Sequence, residues 1–226
     1  MKLGALYSGG KDSTLALIKA KEQHEITCLI TIRSKNKESY MFHTPNINIT
    51  QLQAEAMQLP LLCADSDGEK EKELEDLKKA ISDAKQKYKI EGIVTGAVCS
   101  TYQASRIQQI CNNLDVWCFN PLWLMNQIEL LNEIVDKKII AIIAGIFAEA
   151  LDKTFLGKEI NTDIIKKLSK IASSHHINPA GEGGEIETTV LDAPVFKKKI
   201  EITKSKTSYA DNAGIFSIVN AKLVSK

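Results

Sequence analysis

Ser8-Gly9-Gly10-Lys11-Asp12-Ser13 follows a short apolar run, Met1 to Tyr7, and leads into a helix-like stripe at Leu15, Leu17 and Ile18. A strand, a glycine pair and then a helix start make an anion site. Glycine lets the backbone approach a ligand and adopt positive φ. The helix that follows turns its unpaired amides and positive dipole end to the same place. Ser8 and Ser13 add hydroxyl donors, and Lys11 adds a point charge for phosphate oxygens. Asp12 repels phosphate unless Mg²⁺ lies between them, so it is the candidate metal contact. The spacing is neither the Walker A pattern nor the dinucleotide GxGxxG. The bland alternative is an ordinary Ser/Gly turn before a helix. Position at the end of the first strand, where open α/β sheets take ligands, favours the phosphate reading.

Working outward, strand and helix signals alternate. Ile26 to Ile32 is a β-branched strand, Ile47 to Gln58 a helix stopped by Pro60, and Leu61 to Ala64 a short strand. Glu69 to Tyr88 reads as a long charged helix with Leu74, Leu77 and Ile81 on one stripe and Glu75 facing Lys79. Gly92 to Gly96 is strand, Ser100 to Asn113 helix and Val116 to Phe119 strand. This order predicts an α/β fold, a parallel sheet with helices on both faces. Pro121 marks a seam. Beyond it come a helix (Asn126 to Lys137), a strand (Ile139 to Ile146), a helix (Thr162 to Ser174), the glycine-rich Pro179 to Glu185, and strand-like runs at Thr188 to Leu191, Lys198 to Thr203 and Ile215 to Leu223. The expectation is an ATP-binding domain over 1–121 and a smaller C-terminal α+β, substrate-binding domain over 122–226.

Composition narrows the function classes. Of 226 residues, 44% are apolar and 25% charged, and the formal net charge is +1. That excludes a strongly basic field that would concentrate nucleic acid by itself. No stretch approaches the roughly 20 apolar residues of a membrane helix, so no membrane partner is expected. The five cysteines, Cys28, Cys63, Cys99, Cys111 and Cys118, form no CxxC pair. They read as structural thiols of a reducing cytoplasm. Adjacent His175 and His176 point apart and read as a solvated helix end.

Three more segments stand out. Ser39-Tyr40-Met41-Phe42-His43-Thr44-Pro45-Asn46 precedes the helix with Leu52-Gln53-Ala54-Glu55-Ala56; His43 is either a cover for the nucleotide or a surface turn histidine. Gly96-Ala97-Val98-Cys99-Ser100-Thr101-Tyr102-Gln103 continues to Arg106. Arg106, one turn inside its helix, reaches either an anionic ligand or a surface salt bridge. Asn178-Pro179-Ala180-Gly181-Glu182-Gly183-Gly184-Glu185-Ile186-Glu187-Thr188 continues to Leu191-Asp192-Ala193-Pro194. Glu182 and Glu185 are either a site for a cation, a proton or Mg²⁺, or part of a plain turn before a strand.

The loop resembles the signature of the PP-loop ATP pyrophosphatases, and with the three segments the chain is similar, nearly end to end, to the diphthine–ammonia ligase family. That resemblance implies a HUP-like, adenine nucleotide alpha hydrolase-like fold and cleavage of ATP between its α and β phosphates. It implies a ligase forming a C–N bond: a carboxylate of diphthine on translation elongation factor 2 is adenylated, then displaced by ammonia. ATP and Mg²⁺, elongation factor 2 and ammonium are the implied cofactors and partners, with no direct nucleic acid. No spare glutaminase domain is visible, so free ammonium is the expected nitrogen source. Ser8, Gly9, Gly10, Lys11, Asp12, Ser13, His43, Gly96, Tyr102, Gln103 and Arg106 become nucleotide-binding candidates; Lys11, Asp12, Glu182 and Glu185 become catalytic ones. Glu187 joins Glu182 and Glu185 on the acceptor or metal side. Tyr102 and Trp123 are the candidate aromatic faces for the trimethylammonium of diphthine. The chain departs from the family pattern at Leu124-Met125-Asn126, where Gly-Arg-Asp is usual, at Thr101, usually an acid, and at Ile186, usually aromatic. Two alternatives stay open: a tRNA-modifying PP-loop enzyme, and a nucleotide-binding regulatory module without turnover. The oligomeric state is open too, a homodimer included.

Overall fold

The computed structural model describes residues 1–36, 45–69 and 71–226. His43 lies outside the described residues. The first strands and helices are β1 (Lys2–Leu6), α1 (Lys11–Lys21), β2 (Glu25–Ser34), α2 (Thr50–Met57), β3 (Leu61–Ser66), α3 (Lys72–Tyr88), β4 (Gly92–Val94), α4 (Thr101–Asn113) and β5 (Trp117–Phe119). The five strands form one parallel sheet in the order β3-β2-β1-β4-β5. Strand order reverses at β1, so a crevice opens at the carboxyl ends of β1 and β4, where such sheets bind ligands.

Both faces are covered, as the near-continuous apolar strands require. On one face Cys28, Ile30, Ile32 and Ile93 pack beneath Leu77, Ile81 and Ala84 of α3 and Ile107, Ile110 and Cys111 of α4. On the other, Leu3, Ala5 and Leu29 meet Leu15 and Leu17 of α1 and Ala54 and Ala56 of α2. α3 begins at Lys72 rather than Glu69, because Glu71 takes a positive φ of 70° that no α-helix continues through. Glu75 pairs weakly with Lys78, at 3.9 Å, rather than with Lys79.

The second half holds α5 (Gln127–Asp136), β6 (Ile140–Ile146), α6 (Thr162–His175), β7 (Ile186–Asp192), β8 (Lys199–Ala210) and β9 (Ala213–Val224). Its antiparallel sheet runs β7-β6-β9-β8. Asn126 caps α5 by accepting from the amides of Ile128 and Glu129 at 2.9 and 3.2 Å, one of the strongest start signals available to a helix. The β8–β9 ribbon is longer than the apolar pattern predicts. Asp211 and Asn212, at φ 49° and 61°, close it in the two-residue geometry that suits a hairpin's twist.

Packing does not separate the halves at Pro121. Leu130, Leu131 and Ile134 of α5 are fully buried in the same core as α1 and β1, and that core continues through Ile143, Ile146 and Val190. Lys19–Glu133 and Lys137–Glu22 ion pairs at 2.7 and 2.8 Å tie α5 to the α1 segment. Among the described residues, no helix is long and apolar enough to cross a membrane.

Candidate active site

Gly10 stands as the N-cap of α1 and supplies no side-chain cap. The first-turn amides of a helix have no partner within it, so they must be satisfied from outside. Thr188 Oγ1 on β7 accepts from the Lys11 amide at 3.0 Å. The amides of Asp12 and Ser13 remain for a ligand. Gly9 sits at φ 81°, and a Cβ there would come within 2.5 Å of Gln53 Oε1. Its carbonyl accepts from Val190 N at 2.9 Å and from Gln53 Nε2 at 2.9 Å, while Gln53 Nε2 also donates to the Val190 carbonyl at 2.7 Å. The buried carboxamide therefore fastens the glycine loop to the second sheet. Beneath the loop, Tyr7 Oη meets Thr14 Oγ1 at 3.1 Å, and Thr14 Oγ1 donates to the Gly10 carbonyl at 2.9 Å. Burial pushes the Tyr7 hydroxyl well above its ordinary value against that bond, so it stays neutral.

A cleft of about 720 Å³ opens over this loop. One arm has apolar walls from Leu6, Ile30, Ile32, Leu77 and Ile107; the other is lined by Phe147, Gly181 to Gly184 and Ile186 to Thr188. Ser8, Gly10, Lys11, Asp12 and Ser13 lie between them, with Gly96 and Gln103 on the α4 side. Gly96 is where the turn between β4 and α4 presses on the loop: a Cβ there would stand 2.7 Å from Ser13 N and 2.8 Å from the Asp12 carbonyl carbon.

Charge is concentrated at the centre. Lys11 is buried, with Nζ 2.8 Å from Asp12 Oδ2. Burial alone would lower its pKa, but Asp12, Glu182 and Glu187 together outweigh that and hold it above the ordinary value. Glu182 reaches across to accept from the Cys99 amide at 3.3 Å. Burial and the Asp12 charge push its carboxyl up to about 7, against the pull of Lys11. Burial does the same to Glu187, to about 7, with Lys11 opposing and Asp12 and Glu182 adding repulsion. Asp12 Oδ1 is buried without a protein partner. Three acids thus share one ammonium, a surplus of negative charge that a cation would relieve. Among the described residues, no group of three His, Cys, Asp or Glu side chains converges closely enough to cage a metal.

The remaining candidates separate. Both Glu185 oxygens hold its own loop: Oε1 accepts from the amide and Nδ2 of Asn178 at 2.8 and 2.9 Å, and Oε2 from the Gly183 amide at 2.8 Å. Gln127 extends the brace, donating to Asn178 Oδ1 at 2.8 Å and accepting from the Ala180 amide at 3.1 Å. Arg106 takes the salt-bridge alternative, 3.5 Å from Glu71, and lies over the Tyr102 ring at 4.8 Å. Neither side chain lines the cleft. The Tyr102 face is thereby covered, and Trp123 also stands outside the cleft lining. Asn46, at the end of the segment that contains His43, ties to the second sheet: it accepts from Ile218 N at 2.7 Å and donates to the Phe216 carbonyl at 3.0 Å. Sequence reasoning missed Gln53, Thr188 and Phe147. For Gln53 the signal was a polar residue on the buried face of α2, beside Ala54 and Met57. Phe147 and Thr188 are brought in only by the second sheet.

Family models for the diphthamide synthase N-terminal and C-terminal domains match residues 1–117 and 126–224. The diphthine–ammonia ligase of Mus musculus is 35% identical over 91% of this chain and 84% of its own length. The chain belongs to the diphthine–ammonia ligase family. The human ligase is 34% identical with the same coverage. A structure titled as a predicted subunit of tRNA methyltransferase from Methanocaldococcus jannaschii shares 17% identity at a TM-score of 0.42, covering 86% of this chain and 98% of that one. Family membership makes sense of the departures in sequence. Leu124 occupies a left-handed position, φ 59°, with its amide donating to the Val98 carbonyl at 2.8 Å; glycine is the residue that fits there without strain. Asn126 replaces one good N-cap by another. Ile186 is buried on β7 between its two glutamates, where a large apolar residue is what the position asks for. Thr101 is simply the exposed first residue of α4.

Proposed function

We propose that this chain is an ATP-dependent ligase that amidates the diphthine residue of translation elongation factor 2 with ammonium, releasing AMP and pyrophosphate. The observation that carries the reading is the cleft itself. A phosphate loop with unclaimed helix amides lies between an apolar arm and an acidic arm, in a member of the diphthine–ammonia ligase family. The apolar arm suits adenine, and the Ser8 to Ser13 loop suits the phosphates. The acidic arm, from the second sheet, suits the acceptor.

The residues fit Mg²⁺. Asp12 Oδ1 is buried and unmatched, and a single carboxylate together with substrate phosphates is the usual way proteins hold this ion. Asp12 would hold it, and when bound it would neutralise phosphate charge. Lys11 holds the phosphate oxygens and offsets charge as pyrophosphate leaves. A carboxylate resists ammonia because oxide leaves poorly; attached AMP leaves readily. Ammonia attacks only as the neutral base, and Glu182, held near 7, has the proton affinity to take a proton from ammonium or from the attacking nitrogen at neutral pH. Glu185, committed to its own loop, orients Glu182 instead. The setting is cytoplasmic, where elongation factor 2 works.

Product analysis tests the reading against the other ATP chemistries. AMP and pyrophosphate in equal amounts, dependent on the modified factor and ammonium, are expected. ADP and phosphate as the main products would overturn it.

A further inference from the structure

The acceptor in this reading carries a trimethylammonium group as well as its carboxylate, and neither aromatic suggested by the sequence lines the cleft. Tyr102 is covered by Arg106, and Trp123 lies away from the cleft. Phe147 follows β6 and lines the acidic arm. It is 39% exposed, although Ala141 to Ile146 just before it are buried. Two contacts fix it. Its amide donates to the Glu185 carbonyl at 2.9 Å, which couples it to the braced glutamate loop. Its ring fills the space above Gly145: a Cβ built there would stand 2.7 and 3.0 Å from two ring carbons and 3.2 Å from Glu187 Cβ. The absence of a side chain at Gly145 therefore brings the Phe147 ring and the Glu187 side chain together at one place on the cleft wall.

We propose that Phe147 and Glu187 form the subsite for the quaternary ammonium of the acceptor, with Gly145 as the residue that makes room for it; this rests on the function proposed above. A quaternary ammonium has no N–H to donate, so hydrogen-bond acceptors alone cannot select it. An aromatic face attracts it through the ring quadrupole, and an adjacent carboxylate adds charge. The subsite lies in the arm that also holds Glu182, beside the phosphate loop. The acceptor's cation is thereby held on the second sheet while its carboxylate faces the nucleotide.

The test uses the full chain with choline as probe and choline's neutral carbon isostere as control, alongside steady-state amidation of diphthine-bearing elongation factor 2. Calorimetry should show choline binding about tenfold tighter than the isostere, the range a partly desolvated cation–π contact supplies. Phe147→Leu should erase that preference and raise the KM for the factor about tenfold, with the KM for ATP unchanged. Phe147→Tyr, which keeps an aromatic face of the same size over Gly145, should preserve both. Glu187→Gln should weaken choline but not the isostere. Retained choline preference and unchanged factor KM in Phe147→Leu would overturn the subsite. If the wild-type chain discriminates choline but never amidates the factor, the subsite stands and the acceptor assignment falls.

Discussion

Replacing Lys11 by methionine keeps the length of the side chain and removes its charge. Asp12, Glu182 and Glu187 would then face one another without their shared ammonium. Loss of a preorganised charge of this kind costs about 10²–10³ in kcat, and pyrophosphate release should fall accordingly. Near-normal turnover would remove Lys11 from the chemistry. Glu187 gives a second, pH-resolved prediction. Its carboxyl is raised from 4.5 to about 7 in the fold, so the folded chain binds its proton more tightly than the unfolded chain. The stability contributed by the protonated form is therefore full below the unfolded value and is lost as pH rises through about 7. Glu187→Gln is neutral throughout. It should melt higher than wild type at about pH 8, with the gap closing by about pH 5. A gap that widened toward acid pH would contradict the origin assigned to the shift. At this scale the strand, glycine loop and helix start were legible because their residue types and order are local. Phe147 and the commitment of Glu185 were not, since they depend on partners that only the fold supplies.

Among the elements, the boundaries that sequence periodicity predicts best are those with a chemical stop. Ser100 and Asn126 cap α4 and α5 where the pattern begins, and Pro60 follows α2. The β8–β9 ribbon outran its apolar pattern because its outer half, from Lys204 to Ala210, is exposed and carries no burial signal. Its hydrogen bonds and tight turn hold it instead. The segment between β5 and α5 holds a sharper test. Leu124 is 70% exposed and left-handed, so its side chain contributes little packing while its backbone is strained. Leu124→Gly should raise stability by roughly 0.5–1 kcal/mol, since relief of the strained conformation exceeds the entropy glycine adds to the unfolded chain. Calorimetric melting measures it. A loss of stability would mean that the leucine makes a contact the exposed position does not reveal.

The two halves share a core: one apolar cluster runs from α1 and β1 through α5 into β6 and β7, while a second lies beneath α3 and α4. α5, assigned by sequence to the second unit, is buried against α1 of the first. Gln53 of α2 and Thr188 of β7 carry hydrogen bonds that tie the first half to the second sheet beside the glycine loop. Sequence patterns report which face of an element is apolar but not which neighbour it meets, so the core shared across Pro121 was not legible. Residues 1–121 expressed alone should therefore lack a cooperative melting transition and should not bind ATP. A separately folded, ATP-binding fragment would show that the second sheet is dispensable to the loop. The same arrangement brings residues of both halves to one cleft around Lys11 and Asp12. The most direct measurement is mass analysis of elongation factor 2 incubated with the chain, ATP and ammonium, run in parallel on diphthine-bearing factor and on factor with the unmodified histidine. Exchange of hydroxyl for amine lowers the mass by about one unit. That decrease is predicted on the diphthine-bearing factor alone, and only when both ATP and ammonium are present. An unchanged diphthine-bearing factor, in the hands of a chain shown to bind ATP, would contradict the account.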